Sequence, residues 1–288
     1  MLINLDFLSI SQLELVIIKL AQNCKIVIMK NLKHFKKNIY SQNGEDGIIS
    51  EIFARLNLQD FENFWVVEFG AWDGKHLSNT FNLIEKGASS VLIEGDSERY
   101  LDLLETQKTY KNIHPIQAFV GGTNEQSLDY LLNNTPIKDE YEVLSIDVDS
   151  YENLEIWKNY SGKPILVIIE ANSAYLPFEK NVPRDLGNSF FETNKIANQK
   201  GYTLVAHTPN HIYIKKDLVN KIYGERGHFN VENLYNFNNF IKWRQLSRGE
   251  IIRLLLSNFK LIYTLPFLVK LLPLKLMHYF VEKFYKLN

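Results

Sequence analysis

An α/β fold is what this sequence predicts: a mostly parallel sheet of about seven strands with one antiparallel edge strand, and helical extensions at both termini. Three observations predict it. Five short Val- and Ile-rich runs, Trp65–Phe69, Ser90–Glu94, His114–Val120, Val143–Val148 and Ile165–Ile169, are each bounded by turn residues, as strands buried on both faces are. Segments long enough for helices, such as Thr80–Lys86, Glu98–Gln107 and Gln126–Asn133, separate most of them, and that alternation builds parallel sheets covered on both faces. Two last runs, Tyr202–Ala206 and His211–Lys215, flank Thr208-Pro209-Asn210, a turn-like stretch that suits an antiparallel hairpin at the sheet edge. The class is Rossmann-like.

Each element can be justified in chain order. A chain of 288 residues, 45% hydrophobic and 23% charged, buries one substantial core. Residues 1–38 read as a basic helical extension. From Glu45 to Leu56, after the turn-prone Asn43-Gly44, apolar residues recur at Ile48, Ile49, Ile52, Phe53 and Leu56, the one-sided spacing of an amphipathic helix. The principal domain spans 39–220, and 221–288 form a second basic helical extension. Pro266 and Pro273 break or kink any helix there.

Composition excludes several classes. The single Cys24 allows no internal disulfide framework and no cysteine-based zinc cluster, and it fits a reducing cytoplasm. Asp6 and Glu14, with Lys19 interrupting the apolar stretch, argue against a secretory signal. Six lysines against two acids make residues 1–40 net +4, six basic residues against Glu282 make 251–288 net +5, and the formal total of −1 leaves 41–250 at −10. So acidic a centre is a poor partner for nucleic acid. Lys260, Lys270 and Lys275 cut the C-terminal apolar stretch into pieces too short to span a bilayer. Its basic, aromatic mix suits the inner face of a membrane or a docking partner. Packing on the domain, or on a second copy in a homo-oligomer, is the alternative.

The residues that carry chemistry start at the first strand, which runs into Glu68-x-Gly70-Ala71-x-x-Gly74. Glycines there allow a tight turn and close approach to a ligand. An acid ending the strand suits a cationic ligand such as a sulfonium bearing an α-amino group. A dinucleotide site needs Gly-x-Gly-x-x-Gly instead, so a nicotinamide-dependent oxidoreductase is disfavoured. About twenty-five positions on, the second strand ends Ile93-Glu94-Gly95-Asp96. A carboxylate at that tip can accept both ribose hydroxyls of a nucleoside, so Glu94 is the ribose candidate, with Asp96 behind it.

Together, Tyr40-Ser-Gln-Asn-Gly-Glu-Asp-Gly47, Val67-Glu-Phe-Gly-Ala-Trp-Asp-Gly74, Leu92-Ile-Glu-Gly-Asp96 and Leu144-Ser-Ile-Asp-Val-Asp149 resemble the FkbM-type group of class I S-adenosylmethionine (SAM)-dependent methyltransferases over about residues 38–215. The resemblance implies methyl transfer from SAM to a hydroxyl, often on a sugar or a secondary metabolite, with capsule or lipopolysaccharide sugars among the acceptors. It implies that Glu68, Gly70, Ala71 and Gly74 line the methionine end of SAM. Glu94 and Gly95 would hold the ribose, Phe119 and Val120 would flank the adenine, and Ser41 and Gln42 would close the pocket.

The acceptor side is read from the fourth and later strands. Asp147 or Asp149, where the fourth strand ends, can orient an acceptor hydroxyl and take its proton. Ser150, Tyr151 and Glu152 follow, where the FkbM pattern has an Asp and a Glu with an intervening Gly. Asp147, Asp149, Glu170 and Asn172 offer the oxygen ligands Mg²⁺ prefers; binding the acceptor, or one another, is the alternative. His207, after the sixth strand, and His76, beyond the glycine turn, are further candidate bases that titrate near neutral pH. Tyr175 to Phe191 lacks periodicity and reads as a binding loop or a plain surface loop, with Arg184 suited to a phosphate or carboxylate. A catalytically silent scaffold that keeps the fold is the competing functional class.

Overall fold

The computed structural model describes residues 31–122, 124–147, 152–170, 172, 175, 187–224 and 234. Seven strands form one sheet: β1 Trp65–Phe69, β2 Ser89–Glu94, β3 Ile113–Gln117, β4 Val143–Ile146, β5 Leu166–Glu170, β6 Tyr202–His207 and β7 Asn210–Lys215. Their spatial order is β3-β2-β1-β4-β5-β7-β6. β1 to β5 run parallel to one another, and β7 is antiparallel to both β5 and β6. The hairpin stands at the edge as expected. Its reversed strand is the inner one, so β6 is outermost and points the same way as β1–β5.

The strands alternate because their residues face two separate layers. Val67, Phe69, Val91, Ile93, Leu144, Ile146, Val167 and Ile169 pack into one core, and Val66, Leu92, Val143, Leu166, Ile168, Ile212 and Ile214 into the other. The second layer is covered by helix α1, Glu45–Leu56, through Ile48, Ile49, Ile52 and Phe53. Three helices contribute to the first: α4 Leu128–Asn133, α5 Glu152–Asn159 and α6 Phe190–Gln199. The remaining helices are α2 Phe81–Ile84, α3 Ser97–Thr109 and α7 Val219–Tyr223.

Both expected domain boundaries cut through packed residues. Leu32, before position 39, and Ile222, after position 220, are fully buried in the α1 layer. The domain therefore reaches past 39–220 at both ends. Most of each basic extension lies outside the described residues. Among the described residues no helix is long and apolar enough to cross a membrane.

The chain runs from β1 through β2 to β3 on one side and resumes at β4 on the other. In open α/β sheets that switch point opens a crevice at the carboxyl ends of the strands. Most of the candidate residues sit along this edge.

Candidate active site

The glycine turn after β1 is pinned to the end of β2. Gly70 and Ala71 both donate their N–H to the Ile93 carbonyl, at 3.0 and 3.2 Å, and Gly74 donates to Ala71 at 2.7 Å. Gly70 and Gly74 have φ of 76° and 79°, where glycine carries no Cβ penalty. Between them Trp72 takes φ 46°, an uncommon region for a bulky residue, which the surroundings must enforce. They do so through Glu94: the Trp72 N–H donates to its Oε2 at 2.7 Å. The indole is clamped as well, donating from Nε1 to Asp102 Oδ2 at 3.2 Å and lying under the Arg99 guanidinium, 4.7 Å from the ring centre. Trp72 is a member of this site that sequence reasoning missed.

Glu94 is 5% exposed, and its Oε1 accepts the Asp96 N–H at 2.8 Å. Each oxygen thus holds one backbone amide and keeps lone-pair capacity for a further donor. Asp96 itself caps α3, its Oδ1 accepting from the Glu98 and Arg99 amides.

Phe119 and Val120 lie just beyond β3, which ends at Gln117 rather than at Val120. Val120 is partly buried against the first core layer. Phe119 is 69% exposed and rests on Gly95: a Cβ at position 95 would fall 2.3 Å from the phenyl ring. Gly95 is therefore needed for the Phe119 ring to lie against the backbone that follows Glu94.

Glu68 differs from expectation. Placed by resemblance at the methionine end, it is 2% exposed, and its carboxylate is engaged by the return leg of the loop. Ser78 Oγ donates at 2.5 Å, Thr80 Oγ1 at 2.6 Å and the Asn79 N–H at 3.0 Å. Asn79 Nδ2 continues the network to Ser145 Oγ of β4 at 3.2 Å. Burial raises the Glu68 pKa even though these bonds oppose it. Glu68 is an anchor that shapes the loop, both of its oxygens being engaged by Ser78, Asn79 and Thr80.

On the other side of the switch point, Asp147 ends β4 with its N–H 3.3 Å from the Phe69 carbonyl. Glu170 ends β5 opposite Asn210, and the Asn172 N–H donates to the Asn188 carbonyl at 2.9 Å. The structure thus brings Asp147, Glu170, Asn172 and His207 to one edge from three strands. Asp149 and Arg184 lie outside the described residues. Among the described residues no three His, Cys, Asp or Glu side chains converge to hold a metal, so the oxygen-rich shell for Mg²⁺ has no support here.

His207 also departs from expectation. It is 6% exposed and packed edge-on against Phe190 and His211, 5.5 and 4.8 Å between ring centres. Desolvation, then His211 and then Lys36 push its pKa well below the ordinary value, and burial takes His211 down to about 3. A base poised near neutral pH is not what this environment provides. The linkage sign follows: the unfolded chain takes up protons below about 6.5 that the folded state refuses, so this stability is full above that pH and is lost as pH falls. Unfolding free energy is expected to drop between pH 7 and 5 by roughly 1 kcal/mol per histidine for each unit below the unfolded pKa. The drop should be shallower in His211→Gln; equal slopes in urea titrations would contradict it.

The segment before α1 is bound to the first turn of that helix. Ile39, Tyr40 and Ser41 all donate backbone N–H groups to Asp46 Oδ2 at 2.8 to 2.9 Å, and Ser41 Oγ adds a fourth bond at 2.7 Å. Glu45 is fully buried; its Oε2 accepts from the Asn43 N–H, and its Oε1 from Thr208 Oγ1 and Asn210 Nδ2 in the β6–β7 turn. Ser41 is thus committed to the loop, whereas the Gln42 side chain is exposed. The acid pair Glu45–Asp46 ties loop, helix and sheet edge together. Two adjacent acids opening an amphipathic helix after Asn-Gly were the available signal.

No protein-family model matches this sequence, and no curated protein matches it. Solved structures do resemble it. One is a SAM-dependent methyltransferase from Aquifex aeolicus, at 15% identity, covering 58% of this chain and 97% of that one with a TM-score of 0.36. Another is a putative caffeoyl-CoA O-methyltransferase from Staphylococcus aureus, at 15% identity, 69% and 90% coverage and a TM-score of 0.38. A third is TrmK of M. capricolum in complex with S-adenosyl-homocysteine, at 16% identity, 72% and 92% coverage and a TM-score of 0.41. These likenesses concern the fold class, which the strand order above establishes by itself.

Proposed function

We propose that this chain is a SAM-dependent methyltransferase of the FkbM type, acting on a hydroxyl of a small polar acceptor such as a sugar or surface-glycan precursor. The observation that carries the reading is the Glu94 carboxylate at the tip of β2, between the pinned glycine turn and the Gly95–Phe119 platform. A nucleoside fits that arrangement: an aromatic face for a base, and beside it an acceptor group for vicinal hydroxyls.

In this reading Glu94 holds the ribose, Phe119 and Val120 flank the adenine, and Gly70, Ala71 and Gly74 shape the turn around the amino-acid end. Bound SAM would supply an electrophilic methyl group on a sulfonium. Asp147, at the β4 tip across the switch point, is the group placed to orient the acceptor hydroxyl and take its proton. Residues 39–46, tied to the β6–β7 turn through Glu45, would exclude water and fix the approach in this reading, which is most of what an in-line transfer asks of a protein.

Calorimetric titration with SAM, with NAD as control, followed by transfer of labelled methyl from SAM to a panel of sugars, tests the reading. Binding of SAM and labelled product are expected. Binding without turnover on any acceptor would favour a silent scaffold, and no SAM binding would overturn the reading altogether.

A further inference from the structure

Two buried side chains carry polar atoms with no hydrogen-bond partner among the described residues, and each lies within two positions in sequence of a residue that contacts the β6–β7 hairpin. Asn188 is 2% exposed, and neither Nδ2 nor Oδ1 is bonded. Its backbone is held firmly: the carbonyl accepts from Asn172 beyond β5, and Ser189 next to it caps α6 by accepting from the Glu192 N–H. Two residues on, the Phe190 ring meets His207 and His211. Asp46 is 1% exposed; all four of its side-chain donors converge on Oδ2, and Oδ1 has none. Its neighbour Glu45 reaches Thr208 and Asn210 at the turn of the same hairpin.

Native proteins leave few buried polar atoms unpaired, because an unpaired one forfeits its hydration without return. At Asn188 the unmatched set is one NH₂ donor and one acceptor oxygen. An anionic group on a ligand would satisfy only the donor. An apolar group would satisfy nothing. Neighbouring hydroxyls match, since each can donate and accept.

Resting on the methyltransferase reading above, we propose that Asn188 is a specificity-determining residue for a polyhydroxylated acceptor. Its Nδ2 donates to one hydroxyl oxygen while its Oδ1 accepts from the adjacent hydroxyl.

The experiment compares wild type with Asn188→Leu, which keeps the branching of the side chain and removes its polar atoms. Three readouts are taken: melting temperature, SAM affinity by calorimetry, and saturation-transfer NMR with a panel of methyl hexopyranosides in the presence of S-adenosyl-homocysteine. A melting temperature equal to or above wild type and unchanged SAM affinity are expected. At least one glycoside should give a signal with wild type and bind at least tenfold more weakly to the variant. A large drop in melting temperature would mean that the amide is bonded inside the protein or to a buried water only, and would overturn the proposal. So would equal glycoside signals in both proteins, or no signal with wild type while SAM binds. Failure of wild type to bind SAM would instead defeat the underlying reading. If Leu does not pack, Asn188→Ala is read against the same criteria, except that its own cavity allows a modest fall in melting temperature.

Discussion

Replacing Glu94 with Ala is expected to weaken SAM binding roughly 100-fold or more, because it removes two things together. The first is the pair of charge-assisted bonds to the ribose, worth about 1.5–3 kcal/mol each. The second is the tether on Trp72, whose left-handed backbone is held by Glu94 Oε2. Gln is no conservative substitute: its NH₂ must face the N–H of either Trp72 or Asp96, a donor set against a donor. Both variants should therefore lose affinity in calorimetric titration with SAM, and Arg99→Ala, which touches only the Trp72 ring, should lose far less. Undiminished affinity in Glu94→Ala would remove Glu94 from the cofactor site.

Glu68 should show its importance in stability. Its removal as Glu68→Ala leaves Ser78 Oγ, Thr80 Oγ1 and the Asn79 N–H without their shared acceptor in a region almost closed to solvent. At about 1–3 kcal/mol per buried orphan, a loss of roughly 3 kcal/mol or more is expected, enough to unfold a marginal domain. Glu68→Gln separates charge from shape. The folded-state pKa is raised above the ordinary 4.5 by burial, so the folded protein keeps a proton that the unfolded chain releases. The stability linked to that proton is full below about 4.5 and is lost as pH rises through the raised pKa. In urea titrations from about pH 4.5 to 7.5, wild type should lose stability relative to Glu68→Gln as pH increases. A difference that stays flat or grows would show the carboxylate to be comfortably ionised.

The strands were legible because both their faces are buried, which writes short unbroken apolar runs into the sequence; β1 is Trp65–Phe69 in expectation and in structure alike. Spatial order is not written that way. Nothing in Tyr202–Lys215 distinguishes a reversed strand at the rim from one inserted between β5 and β6, since either satisfies the same hairpin. Helix α6 begins inside the stretch that reads as a loop up to Phe191, although Ser189-x-x-Glu192 is the pattern of an N-terminal cap. The site divides along similar lines. Glu94 falls at the end of β2 as the sequence predicts, because the apolar run that writes the strand stops there. The inward turn of Glu68 was not legible, because its partners come from an irregular loop ten to twelve residues later. The neutrality of His207 depends on Phe190 and His211 closing around it, which only the folded hairpin reveals.

The position of β7 also decides where the polypeptide goes after the hairpin. Travelling against the other strands, it carries the chain away from the edge that holds Glu94 and Asp147. It ends where Lys215 N–H meets the Ile165 carbonyl and Lys216 N–H meets that of Gly201, at the starts of β5 and β6. The last turn of α7 stays at that end, its Ile222 carbonyl taken by Arg55 near the C-terminus of α1. The described helix α7 therefore lies at the pole opposite Glu94 and Asp147. A label or cross-link placed on α7 would sit away from the rim that carries Glu94 and Asp147.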